Sequence, residues 1–77
     1  MNASAPKLTG GMCCLKISGA SANAIIIVTV DGVEFVPAIR QSTADSLTIC
    51  FPLSDGPHAV GIDVDSGGVL FHTSFFI

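Results

Sequence analysis

Tryptophan and tyrosine are absent from this 77-residue chain, and only Lys7, Lys16 and Arg40 carry positive charge. Nucleic-acid binding normally needs a basic stripe to neutralise phosphates and aromatic faces to stack on bases. Three scattered cations against six Asp and Glu, a net charge of −3, exclude that class as an expectation. Long apolar runs are missing too. The longest, Ala24 to Val28, is strand-sized, whereas a helical membrane span needs roughly 18–20 residues. The N-terminal stretch has one Lys and no continuous apolar core, so no signal peptide is expected. Synthesis in a cytoplasm follows as the expectation.

Charge of either sign is scarce. Charged residues make up 12% of the chain, about half the share in an ordinary soluble domain, while 49% are hydrophobic. A chain with so few charges leaves apolar surface showing when alone, and such patches usually mark protein–protein contacts. Its length allows one domain. A domain this small buries only about 60–65% of its unfolded surface and usually needs a staple or a partner.

Cysteine is sparse and odd in number: Cys13 and Cys14 adjoin and Cys50 stands alone. Neighbours on a strand point to opposite faces, so at most one of the pair can meet Cys50. Buried, reduced thiols are the leading expectation, with a single disulfide as the alternative. The paired Cys-x-x-Cys spacing of a zinc site is absent.

What is present is strand periodicity. Residues 1–12 are rich in Gly, Ser and Pro with no apolar period, and are expected to form an extended N-terminal arm. From Cys13 the period is two. Leu15 and Ile17 alternate with Cys14 and Lys16. Ala24 to Val30 is a β-branched run dense enough for a strand buried on both faces. Asp31-Gly32 between two such runs is a strong hairpin signal, because both central positions of a type I′ turn need positive φ. That register puts Val28, Val30, Val33 and Phe35 on one face. Arg40 to Asp45 is expected as a polar connection.

Further along, Leu47, Ile49 and Phe51 alternate inward, and Pro52 to Pro57 is a turn bounded by breakers. Val60, Ile62 and Val64 point inward against Gly61, Asp63 and Asp65. Ser66-Gly67-Gly68 closes a hairpin. In the last strand Val69, Phe71, Phe75 and Ile77 share one face, and Leu70, His72, Ser74 and Phe76 the other. Apolar side chains on both faces suggest that the second one meets another chain. No window shows a helical period, so the expected fold is all-β, an antiparallel sandwich of about six strands over residues 13–77.

No catalytic motif is visible: no G-x-S-x-G elbow, phosphate-cradling loop or H-E-x-x-H. No catalytic, cofactor or metal residue is assigned. Asp63 and Asp65, beside Gly67-Gly68, could suggest calcium. The place of the bidentate Glu of an EF-hand falls on Ser74, so a solvated strand face is the simpler reading. His72 is expected to face Asp63 across the hairpin, and His58 is expected as a surface turn residue.

Leu47 to Phe51, then Pro52-Leu53-Ser54-Asp55-Gly56-Pro57-His58, then Val60 to Asp65, resemble the late strands of bacterial immunoglobulin-like repeats. Ile17-Ser18-Gly19 and Val28 to Gly32 resemble the front half of such a module. The resemblance implies a small Ig-like β-sandwich, shortened enough to leave an open sheet edge that the arm or a neighbour's strand would pair with.

These features together imply a non-catalytic structural subunit of a large assembly. The expected type is a phage capsid decoration or cement protein, clamping neighbouring shell subunits through its arm and sheet edges and residing in the virion. Its partners would be further copies of itself, as in a trimer, and a larger shell or scaffold protein. Leu8, Met12, Leu70, His72 and Phe76 are the expected contact residues. The alternative is an Ig-like adhesion or carbohydrate-binding module, against which the lack of Trp and Tyr counts. A small enzyme inhibitor or antitoxin is a third class that no residue favours.

Overall fold

A computed structural model describes residues 1–77. It is all-β, with nine strands: β1 (Asn2–Ala3), β2 (Lys7–Thr9), β3 (Met12–Ser18), β4 (Ile25–Val30), β5 (Val33–Phe35), β6 (Ile39–Ser42), β7 (Ser46–Pro52), β8 (Ala59–Ser66) and β9 (Val69–Phe76). They form two antiparallel sheets. The first runs β1-β3-β7-β6, with β2 also paired to β3; the second runs β5-β4-β8-β9.

Period two sets the core. Cys13, Leu15 and Ile17 of β3 and Leu47, Ile49 and Phe51 of β7 face Ile26 and Val28 of β4 and Val60, Ile62 and Val64 of β8. All are buried. Slipping any of these strands by one residue would turn its apolar set to solvent, so the pattern pins the register. The Asp31-Gly32 turn forms as its chemistry requires, with φ of 51° and 87°. Val28 pairs with Phe35 and Val30 with Val33, the face expected from the sequence.

Several expectations need correction. The strands number nine rather than about six, because three short edge strands escape a periodicity test. Ile39–Ser42, placed largely in a polar connection, is β6, exposed throughout and paired with β7. Its Arg40 lies opposite Ile49 and reaches across to the carbonyls of Ala22 and Ala24, at 3.0 and 2.6 Å. That ties the edge of one sheet to the loop entering the other. Strand β4 is buried on one face only; Ile25 is 62% exposed. Residues 1–12, expected as an extended arm, fold back on their own chain. Asn2–Ala3 pairs with Ile17 and Ser18, and Lys7–Thr9 with Met12 to Cys14 through Gly10-Gly11. Ser4 fastens the stretch between them: its N–H donates to the Lys16 carbonyl, and its Oγ accepts from the Lys16 N–H.

The cysteines also differ from the leading expectation. Cys14 and Cys50 lie directly opposite on β3 and β7 and form a disulfide, their Cα atoms 4.2 Å apart. Cys13, on the other face of β3, is the buried free thiol, and burial raises its pKa. Alternation excluded one of the neighbours, but only the β3–β7 register chooses Cys14.

Candidate functional site: the β9 edge and the outer face of the second sheet

Two features outside the core combine chemistry with exposure. The first is the turn end of the second sheet. The β4–β8 register sets Asp31 opposite Ala59. The Asp31 N–H donates to the Ala59 carbonyl at 2.9 Å, and the Ala59 N–H donates back to Oδ1 at 3.0 Å. Asp31 Oδ2 lies 2.6 Å from His58 Nδ1. His58 Nε2 lies 3.0 Å from the Ser54 carbonyl and 3.2 Å from Ser54 Oγ. His58 is therefore a largely covered clamp rather than a free surface turn residue, its side chain only 16% exposed.

Ser54, His58 and Asp31 stand in serine–histidine–aspartate order, but the Ser54 carbonyl competes with the Ser54 hydroxyl for Nε2. A general base needs a free lone pair on Nε2. Here Nε2 faces a carbonyl, which can only accept, and Nδ1 faces a carboxylate. The Asp31 carboxylate suits a proton on Nδ1 and the Ser54 carbonyl one on Nε2, so these contacts favour the protonated ring, in which Nε2 has no lone pair to offer the Ser54 hydroxyl. The hydrogen bond to Asp31 raises the His58 pKa; the same bond, with that from Ala59, lowers that of Asp31.

The clamp has a signed pH dependence. The His58 contribution is complete below its unfolded value of about 6.5 and is lost as pH rises through the higher folded value. The Asp31 contribution is complete above about 3.9 and is lost as pH falls through the lower folded value. The midpoint of thermal unfolding is thus expected to be highest between about pH 4 and 6.5, falling on the alkaline side as His58 deprotonates. Asp31→Asn keeps a good turn residue and should flatten the alkaline fall. An unchanged pH profile in that variant would contradict the clamp.

The second feature is the outer face and free edge of β9. Across that face run the rows Ile25–Asp65–Leu70, Ile27–Asp63–His72 and Thr29–Gly61–Ser74, followed by Ala59–Phe76. Leu70 is 77% exposed and Phe76 86%. As expected, His72 meets Asp63, with Nδ1 2.7 Å from Oδ1. Asp65 Oδ1 accepts from the Gly68 N–H at 2.9 Å, so this carboxylate holds the β8–β9 turn. Gly61 has no side chain between His72 and Thr29, which leaves a shallow groove lined also by Ser74 and Phe76.

The expected contact residues separate into two groups. Leu70, His72 and Phe76 lie together on the outer side of β9. Leu8 and Met12 belong to β2 and β3 in the other sheet, where Leu8 is exposed and Met12 half-buried. The outward set of β9 was legible from alternation alone. The His58–Asp31 clamp was not, because only the β4–β8 pairing brings together residues 27 apart in the chain.

Comparison with known protein families, with curated proteins and with solved structures finds no match for this chain. No helix is long and apolar enough to cross a membrane.

Proposed function

We propose that this protein is a non-catalytic structural subunit of a large assembly, used through its sheet edge and apolar outer face. The observation that carries the reading is the contrast between β9 and the other edges. Sheet edges invite pairing, and natural proteins blunt them with short strands, charges, inward-pointing charged residues or Pro. Strands β1 and β2 are short and flank Pro6. Strand β5 has three residues, one of them Glu34, with Pro37 beyond. Strand β6 carries Arg40. Strand β9 has eight residues, no Pro, Lys or acidic residue, and large exposed apolar side chains. An unblunted edge of that length fits a surface that is covered when the protein is in use.

An immunoglobulin-like module supports the same reading. The order β1/β2-β3-β7-β6 over β5-β4-β8-β9 follows the A-B-E-D and C′-C-F-G arrangement of such sandwiches. His58, immediately before β8, ties back to the backbone of Ser54, the contact that a tyrosine makes at that corner in immunoglobulin domains. Small sandwiches with sticky edges suit a decoration or cement protein on a phage shell, placed in the virion and touching both its own copies and a larger shell protein. Sedimentation of the chain from its native source tests this. Migration with particles of virion size is expected; recovery only in the light, unassembled fraction would refute it.

A binding module is the second reading, favoured by one observation: Phe76 is an exposed aromatic beside the Gly61 groove. Glycan binding abolished by Phe76→Ala would support it over the first.

A further inference from the structure

We infer that β9 pairs antiparallel with β9 of a second copy about a two-fold axis through Thr73, making one continuous eight-stranded sheet. This deepens the assembly reading by naming the contact and the partner.

The backbone decides which residues can take part. The Ile77 N–H donates to the His58 carbonyl and the His58 N–H to that of Ile77. Hydrogen-bonded and open pairs alternate along an antiparallel ladder. With the uninterrupted β8–β9 register, Val69, Phe71, Thr73, Phe75 and Ile77 therefore turn their N–H and C=O groups towards β8. Leu70, His72, Ser74 and Phe76 turn theirs to the open edge. A pairing strand must meet those four.

The side chains choose the partner. From Val69 to Ile77 the sequence is V-L-F-H-T-S-F-F-I, which matches its own reverse in character. Centred on Thr73, Leu70 falls opposite Phe76 of the other copy, His72 opposite Ser74, Phe71 opposite Phe75 and Val69 opposite Ile77. Apolar meets apolar and polar meets polar at each position. An isologous two-fold contact requires this self-complementarity, because the same patch serves both sides. The register also pairs outward-turned residues with one another, giving about eight new backbone hydrogen bonds. Charges agree as well. β9 carries no acidic or basic residue other than His72, and the rows join Asp63–His72 to Ser74–Gly61 of the copy, so no like charges meet.

A single strand edge buries less than the about 1,200 Å² of a standard stable interface, so the dimer is expected to be weak, with a micromolar dissociation constant. The shell or scaffold would then act by concentrating copies.

The test is sedimentation of the purified chain from micromolar to millimolar concentration, beside Ser74→Pro and Leu70→Lys. Proline at 74 removes an outward N–H and spares the β8 ladder; lysine at 70 sets a charge against Phe76 of the copy. Both should keep the circular dichroism and melting of the monomer and weaken dimerisation on the order of a hundredfold. Thr73→Cys adds a check of register, because the two thiols would face each other across an open pair, as Cys14 and Cys50 do within the chain. Mild oxidation should give a covalent dimer that reductant reverses.

A wild-type chain that stays monomeric at millimolar concentration overturns the proposal, as does a Thr73→Cys variant that fails to cross-link. Dimerisation that survives both substitutions and dissolves in high salt would move the contact to the faces, Lys7 and Lys16 against Asp63 and Asp65, and also overturn it. None of these results touches particle association, so the assembly reading stands or falls separately.

Discussion

Phe51→Ala should cost about 3–5 kcal/mol, a large fraction of the stability of the domain. Phe51 is the largest fully buried side chain, near the C-terminal end of β7. Its ring meets that of Phe35 edge-on, with centroids 5.9 Å apart and planes at 63°. Removing it loses the transfer energy of the ring, the aromatic contact and the packing around a cavity. Domains of this kind have roughly 0.05–0.15 kcal/mol of stability per residue, or about 4–12 kcal/mol for 77 residues, so the loss is a large part of the whole. Urea unfolding measures it as a fall in midpoint at constant slope. Phe35→Ala, at a half-buried position, should cost clearly less. Equal costs would mean that the core is not centred on β7.

Reducing the Cys14–Cys50 disulfide should cost about 3–4 kcal/mol, the chain-entropy value for a loop closed over a separation of 36 residues. The bond joins the two central strands of the first sheet, so its loss should appear as a lower urea midpoint of the whole domain. Cys14→Ser should reproduce the loss, and reductant should then add nothing. Buried Cys13, its thiol pKa raised, should react with alkylating agents only as the domain unfolds. In a reducing cytoplasm the pair would remain as thiols and the domain would be correspondingly weaker until it reached oxidising surroundings. A variant as stable as the oxidised wild type would contradict this account.

The sequence carries the long strands because each has one buried face. Cys13-Leu15-Ile17, Leu47-Ile49-Phe51 and Val60-Ile62-Val64 announce their sides by alternation alone, and Asp31-Gly32 announces its turn by backbone chemistry. Strands β1, β2 and β6 stayed hidden because edge strands of two to four residues bury too little to leave a period. Ile25 misled in the opposite sense: a β-branched residue suits a strand whether its face is covered or open. The disulfide was only half legible, since alternation limits the choice but register makes it.

The candidate site divides in the same way. The outward set Leu70, His72, Ser74 and Phe76 follows from period two, whereas which of their backbone groups stand free depends on the single ladder bond pair between His58 and Ile77. The Asp31–His58 clamp depends on two turns meeting at one end of a sheet, and no local pattern encodes that meeting.

Amide hydrogen exchange at Leu70, His72, Ser74 and Phe76 tests the central claim most directly, in the dilute chain and in its native assembled form. The account predicts fast exchange at all four in the dilute chain and strong protection in the assembly, while Phe71, Thr73 and Phe75 are protected in both. Equally fast exchange at the four positions in the assembled form would show that the β9 edge is not where this protein is used.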